Sequence, residues 1–308
     1  MPEIVSDAAV AAPVLILLAI AAVAVTIAER RTRVAHAAAG EPLPSTGRYE
    51  LSVAQVLARI EAGRAARHPL AWLGLAAVAL VIAFTVTGRG LFADSLRPDV
   101  LLPIFVPLLL GLFATLHLGV GRDRHTGMDE LARTLPTGAR TRTVGHLLAA
   151  GTIAVPLGLA AIATVLVLLG PDRTIDGWTP GPLELVQPGI AMVIVGALAV
   201  AAGRWWRHPT AGFLVPLLLF FSPMLWGVAL YQRGGPHTAW GTDDYLGTIT
   251  TIDLTWHLVF LLGYLTLAVA GALARHDRRA AVLAVGLIGL VAMVGGYIIK
   301  MPTWFWLA

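Results

Sequence analysis

The chain has 308 residues, of which 57% are hydrophobic and 13% charged, and its formal net charge is +4. Soluble domains average about 25% charged residues, so this composition, with a mean hydropathy of +0.78, excludes an ordinary soluble fold. The absence of cysteine excludes disulfides, thiolate metal sites and cysteine nucleophiles. Several apolar runs reach the ~20 residues that a helix needs to cross a bilayer. We therefore expect an all-α integral membrane protein in the lipid bilayer, and the small positive charge does not indicate a nucleic-acid partner.

Eight apolar stretches are predicted to span the membrane: residues 9–28, 69–87, 100–120, 145–170, 187–203, 211–231, 253–274 and 280–299. The connections between them alternate in basic charge. Alternate connections hold Arg30, Arg31, Arg33, Arg48, Arg59, Arg64, Arg67, Arg122, Arg124, Arg133, Arg140, Arg142, Arg204, Arg207, Arg275, Arg278 and Arg279. The others hold only Arg89, Arg97, Arg173, Arg233 and Lys300. Since cytoplasmic loops are rich in Lys and Arg, both termini are predicted to lie outside the cell.

The first predicted span differs from a secretory signal peptide, in which basic residues precede the apolar core. Here Glu3 and Asp7 precede the core, and Glu29 with two arginines follows it. This order indicates a permanent span that runs from outside to inside. The expected location is therefore a multi-pass position in the cell membrane, with the connection 121–144 in the cytoplasm.

That connection contains a helix signal. Thr126 and Asp129 have the spacing of a capping box, and apolar residues then recur on one helical face. These residues are Met128, Leu131, Ala132 and Leu135. Pro136 ends the pattern, which predicts a short helix near 127–135. Two interpretations stay open: an internal tie that packs on the protein's own cytoplasmic ends, or a docking helix for a separate cytoplasmic protein.

A second amphipathic pattern runs over residues 52–67. Ser52 and Gln55 form another capping-box pair. An apolar stripe and a set of polar positions follow, namely Val53, Val56, Leu57 and Ile60, and Arg59, Glu61, Arg64 and Arg67. A basic amphipathic helix that leads into a span is predicted to lie in the membrane interface. This interpretation is favoured over a merely solvated connecting helix.

The sequence predicts no catalytic or metal site. Lys300 is the only lysine, so the chain lacks the Gly-x-x-x-x-Gly-Lys-Ser/Thr loop that binds nucleotide phosphates. The spans hold almost no ionisable residue. Asp253 and His257 are four residues apart, on one helical face. We interpret them as interfacial residues, with a pair that lines an outer vestibule as the alternative.

The segment 122–143 and its surroundings resemble the permease of an ABC exporter of the second type. The matching residues are Arg124, Gly127, Glu130, Leu131, Leu135, Pro136 and Arg140, before Gly145-His146-Leu147-Leu148. The resemblance implies that this segment is a coupling helix that docks on an ATP-hydrolysing subunit, with Met128 in its apolar core. It also implies that 52–67 is the elbow helix. The family often has Glu before the Gly and Lys at the start of the next span, where this chain has Thr126 and His146.

The resemblance also implies a division of the chain. Residues 1–28 form an extra span, 29–68 a cytoplasmic segment with the elbow helix, 69–274 a six-span core, and 275–308 a second extra span with an outer tail. The implied partners are a P-loop ATPase, which binds ATP and Mg²⁺, and a second permease chain that is identical or related. No cofactor is expected in this chain, which is not itself an enzyme.

The implied function is export of an amphiphilic or hydrophobic substrate across a bacterial inner membrane. The alternatives are a non-transporting anchor or assembly subunit of a larger complex, and a secondary carrier. Obligate pairing with a P-loop ATPase distinguishes the exporter from both alternatives. Dependence on a proton or sodium gradient would favour the carrier.

Overall fold

The computed structural model describes residues 47–86, 105–125, 138–168, 186–206, 251–275 and 280–300, and the single residues 208, 210 and 214. Apart from short turns and helix ends, these ranges are helical, which agrees with the predicted all-α class. The predicted spans 9–28 and 211–231 and the predicted helix 127–135 lie outside the described residues.

Seven helices are present in the described ranges. They are α1 (Gly47–Ala66), α2 (Pro69–Val86), α3 (Val106–His125), α4 (Ala139–Leu168), α5 (Gln187–Trp205), α6 (Thr251–Ala274) and α7 (Ala280–Lys300). Each predicted span within these ranges corresponds to one helix. The predicted start of the elbow helix at Ser52 is wrong, because α1 begins at Gly47 and Ser52 lies inside it. The continuous helix upstream overrides the local capping signal.

Only some of these helices are long and apolar enough to span a membrane. Among the described residues, Ala139–Val167 of α4 is long and apolar enough to cross a membrane by itself. The segments Leu51–Ala66 and Pro69–Phe84 qualify together, as a pair bent by 55°. The other apolar helices are shorter by this measure, so the structure confirms a helical chain but not eight spans.

Close glycine contacts hold neighbouring helices together. A Cβ atom built on Gly111 of α3 would lie 2.6 Å from the carbonyl oxygen of Leu70 in α2. A Cβ on Gly158 of α4 would lie 2.7 Å from the Cα of Gly189 in α5. One on Gly289 of α7 would lie 2.9 Å from the carbonyl oxygen of Gly263 in α6 (Gly263 likewise meets Met293). Small residues at such contacts let helix backbones approach closely, as is common between membrane helices.

The contacts also fix the relative directions of the helices. In α4 and α5, Gly158 meets Gly189, whereas His146 meets Arg204, so the two helices are antiparallel. In α5 and α6, Ile194 packs with Phe260, and Trp205 contacts Gly271, so these two are parallel. The glycine contacts between α2 and α3, and those between α6 and α7, show that each of these pairs is also antiparallel. The connection 206–250 therefore starts at one end of the α5–α6 pair and ends at the other.

Candidate functional site

The predicted coupling residues fall mainly outside the described ranges. Gly127, Met128, Glu130, Leu131, Leu135 and Pro136 are among them. Arg124 lies in the last turn of α3, where the helix is described but this side chain is not. Arg140 is exposed in the first turn of α4. The structure thus describes the two helices that lead into and out of the predicted coupling segment.

The vestibule residues Asp253 and His257 both lie near the start of α6. Their side chains are outside the described set, so their pairing stays a prediction.

The helix α1, which contains the predicted elbow segment, packs mainly through residues that the sequence pattern did not select. Ala54, Ala58 and Ala62 are its buried side chains among those described, and they face α4. The predicted stripe lies elsewhere on the helix: Val56 and Ile60 are 55% and 46% exposed, and Val53 and Leu57 are half-buried. Arg64 and Arg67 are exposed. The small alanine side chains let α1 approach α4 closely. Leu57 also lies against α4, at Gly145, whereas Val56 and Ile60 face away from it.

A carboxylate joins α1 to α3. Glu61 is largely buried and accepts a hydrogen bond of 3.1 Å from the guanidinium of Arg122. Its Oε1 also accepts a hydrogen bond of 2.7 Å from Arg64, one turn further along α1. Arg122 is close to the end of α3, from which the predicted coupling segment departs. Glu61 therefore ties α1 to the end of α3, where that segment begins.

A second polar contact joins α4 to α5. Nη2 of Arg204, a residue only 8% exposed, lies 3.0 Å from Nδ1 of His146. The same Nδ1 lies 2.7 Å from the carbonyl oxygen of Arg142, one turn earlier in α4. A guanidinium only donates and a carbonyl only accepts. The ring nitrogen therefore forms a hydrogen bond with only one of these partners at a time, and the tautomer of His146 determines which one.

A third contact joins α5 to α6. The indole N–H of Trp205 donates a hydrogen bond of 2.7 Å to the carbonyl oxygen of Gly271. The guanidinium of Arg275 lies 5.5 Å from the centroid of the same indole ring, within the range of a cation–π interaction. Trp205 thus holds the C-terminal ends of the two parallel helices together.

These three contacts lie at the same end of the helix bundle. We call it the polar end and define it by Glu61, Arg122, His146, Arg204 and Trp205. The segment between α3 and α4 leaves and re-enters the bundle at this end. These contacts were not predicted from the sequence, because each joins residues far apart in the chain. The one feature of the sequence that pointed to them was the presence of ionisable residues near the ends of the predicted spans.

Comparisons with protein-family models, with curated proteins and with solved structures find no match to this chain. Three observations therefore bear on its function: the composition, the sequence resemblance of the 122–143 segment, and the geometry of the polar end.

Proposed function

We propose that this chain is the membrane subunit of an ABC exporter, embedded in the cell membrane through eight spans. The observation that carries the proposal is the sequence of the segment 122–143, with its Arg, Gly, Glu, Leu and Pro positions between two apolar helices. In this proposal the segment docks on a separate ATPase. Leu131 and Leu135 supply the apolar contact, and Glu130 and the flanking arginines supply polar contacts around it.

The polar end supports a coupling role for this segment. Arg122, the first residue of the segment, is bound to Glu61 of α1. His146, soon after the segment, contacts Arg204 of α5. A displacement of the segment by a docked partner would therefore act on α1 and α5 as well as on α3 and α4, since packed helices move as rigid elements.

The helix directions support the proposed span order. In an eight-span chain, α5 and α6 occupy the fifth and seventh spans and run in the same direction. Their parallel packing agrees with this order, as does the antiparallel packing of α4 with α5 and of α6 with α7. The apolar run 211–231 is long enough to be the sixth span, which returns the chain from the end of α5 to the start of α6.

In this proposal the chain forms half of a translocation pathway, and a second permease chain, identical or related, forms the other half. ATP and Mg²⁺ bind to the partner ATPase. The scarcity of charged residues in the predicted spans favours an amphiphilic or hydrophobic cargo. The buried helix contacts transmit closure of the ATPase to the pathway.

The test is affinity purification of the full chain in mild detergent from its native host, with mass spectrometry of the co-purifying proteins. We expect a stoichiometric P-loop protein with the wild type. It should be lost with Leu131→Asp/Leu135→Asp and retained with the matched control Leu183→Asp/Leu185→Asp, which lies in a predicted outer connection. A pure chain with no ATPase contradicts the proposal and favours an anchor subunit or a carrier.

A further inference from the structure

The side of α1 that points away from α4 combines apolar and basic residues. Val56, Arg59, Ile60, Arg64 and Arg67 are all exposed. On a helical wheel Val56, Ile60 and Arg67 lie opposite the alanines that pack on α4, and Arg59 and Arg64 lie on the two flanks of that side. We call this surface the α1 outer face. Glu61 is the acidic residue of α1 whose side chain the structure describes. It is largely buried and lies near the edge of the side that faces α4, not on the α1 outer face.

The α1 outer face extends to the middle of the bundle. Ala62 packs in one cluster with Ala149 of α4. Further from the polar end, Gly196 in the middle of α5 approaches the Cβ atoms of Ala150 and Ala154. Ala62 therefore lies just inside the polar end, and Arg64 and Arg67 follow it toward the middle, where Leu70 lies beside Gly111 of α3. If α3 and α4 cross the membrane, Arg67 approaches the depth of the hydrocarbon core.

The break between α1 and α2 lies at this same depth. The two helices meet at a bend of 55°. His68 begins α2 by accepting a hydrogen bond of 3.3 Å at Nδ1 from the backbone N–H of Leu70. Trp72 donates its indole N–H to the carbonyl oxygen of Ala66 at 2.9 Å. Non-helical backbone at membrane depth is tolerated where it is buried in protein or lines a water-filled cavity.

The charges on the α1 outer face limit what can cover it. Within the described part of the chain, Arg59 and Arg67 have no ion-pair partner, and Arg64 shares Glu61 with Arg122. Hydrocarbon is a costly neighbour for charged arginine. A second copy of the chain packed α1 against α1 by two-fold symmetry would place arginine against arginine. An anionic ligand has the complementary charge.

We propose that the α1 outer face binds the anionic head group, phosphate or carboxylate, of an amphiphile in a water-accessible pathway. Arg59, Arg64 and Arg67 contact the head group, since arginine forms charge-assisted, often bidentate hydrogen bonds with such groups. Val56 and Ile60 contact the apolar part. The assignment of this amphiphile as the transported cargo rests on the proposed exporter function, whereas the binding itself does not.

Binding is tested with the purified full chain in non-ionic detergent. The probes are fluorescent phosphatidylglycerol, which is anionic, and fluorescent phosphatidylcholine, which is zwitterionic. We expect the wild type to bind phosphatidylglycerol at least about tenfold more tightly, the factor that one charged hydrogen bond supplies. Arg59→Gln/Arg67→Gln should reduce the preference to within about twofold. Arg278→Gln/Arg279→Gln removes the same charge from another connection and should retain it.

The proposed site would be overturned if the wild type showed no preference for phosphatidylglycerol, or if Arg59→Gln/Arg67→Gln kept the full preference. A loss of equal size in both double variants would also overturn it, because it would show a non-specific effect of net charge. Circular dichroism and size-exclusion profiles of the three proteins identify any variant that fails to fold. In that case the single variants Arg59→Gln and Arg67→Gln, each expected to lose part of the preference, decide the question.

A second measurement separates a cargo from a lipid that merely surrounds the protein. In the complex with its co-purified ATPase, phosphatidylglycerol should stimulate ATP hydrolysis and phosphatidylcholine should not. Arg59→Gln/Arg67→Gln should lose the stimulation, and the control Arg278→Gln/Arg279→Gln should retain it. Retained stimulation in Arg59→Gln/Arg67→Gln contradicts the cargo assignment. If no ATPase co-purifies, the exporter function and the cargo assignment both fail, and the binding comparison alone still decides the site.

Discussion

Glu61 of α1 accepts a hydrogen bond from Arg122 of α3 at 3.1 Å, and this pair links α1 to the last turns of α3. The Arg122 side chain is 39% exposed and the Glu61 side chain only 14%. Glu61 is thus the better shielded of the two groups. The loss of Arg122 would leave Glu61 with the more exposed Arg64 as its remaining described ion-pair partner.

The first prediction concerns the unequal contributions of these two arginines. Arg122→Gln should lower the free energy of unfolding by about 1 kcal/mol, because it removes a partly shielded hydrogen bond between helices. Arg64→Gln should cost only about 0.3 kcal/mol, as for exposed pairs within one helix. Thermal unfolding in detergent measures both. Glu61→Gln, alone and combined with Arg122→Gln, completes a double-mutant cycle that isolates the interaction energy of the Glu61–Arg122 pair. Equal losses of stability for Arg122→Gln and Arg64→Gln would contradict this account.

The second prediction compares two glycines in α4. Gly158→Ala places a methyl group 2.7 Å from the Cα of Gly189, so the two helices must separate, at a cost of about 1–3 kcal/mol. A Cβ on Gly151 has no neighbour within 4 Å. Gly151→Ala should therefore be neutral or stabilising by up to about 1 kcal/mol, since alanine is the better helix former. The melting temperatures of both variants test the close contact between α4 and α5. A Gly158→Ala variant more stable than Gly151→Ala would contradict that contact.

The third prediction concerns the link between α5 and α6. Trp205→Phe removes the hydrogen bond to Gly271 but keeps an aromatic ring beneath Arg275, and should cost about 1 kcal/mol. Trp205→Leu removes the ring as well and should cost about 0.5–1 kcal/mol more. Thermal unfolding of the two variants gives the order. A Trp205→Phe variant as stable as the wild type would show that the hydrogen bond contributes nothing.

The fourth prediction concerns the proposed membrane topology. Since the chain has no cysteine, single cysteines are unambiguous reporters. In intact cells a membrane-impermeant maleimide should label Ser95→Cys, Thr174→Cys and Ala239→Cys, which lie in predicted outer connections. Ala39→Cys, in a predicted cytoplasmic connection, should react only after permeabilisation. Labelling of Ala39→Cys in intact cells, under conditions where the membrane excludes the reagent, would overturn the predicted orientation.

The long apolar runs allowed most described helices to be predicted from sequence. The predicted spans 187–203 and 280–299 correspond to Gln187–Trp205 and Ala280–Lys300, because a run of ~20 apolar residues specifies a helix with little ambiguity. Boundaries set by local polar residues were less reliable. The predicted start at Ser52 failed because a helix continues as long as each added residue extends the hydrogen-bonded chain, and α1 does so from Gly47.

The packing face of α1 was not predictable from apolar periodicity. That pattern selects large residues such as Val56 and Ile60, which are exposed. Instead α1 packs on α4 mainly through Ala54, Ala58 and Ala62, and Leu57 is the residue of the pattern that meets Gly145 of α4. Where helices pack closely, small residues occupy the contact and large apolar residues are left facing outward. The Glu61–Arg122 and His146–Arg204 contacts were missed for another reason. They depend on which helices are neighbours, and spacing in the sequence does not contain that information.

The most direct test of the proposed function is a photo-crosslinking measurement at Leu131 in living cells. A photoreactive amino acid at this position should give one main adduct, with a P-loop ATPase identified by mass spectrometry. The same amino acid at Thr174, in a predicted outer connection, should give no such adduct. If position 131 crosslinks only within the chain, or to proteins without a P-loop, the segment is an internal tie and the exporter account is contradicted.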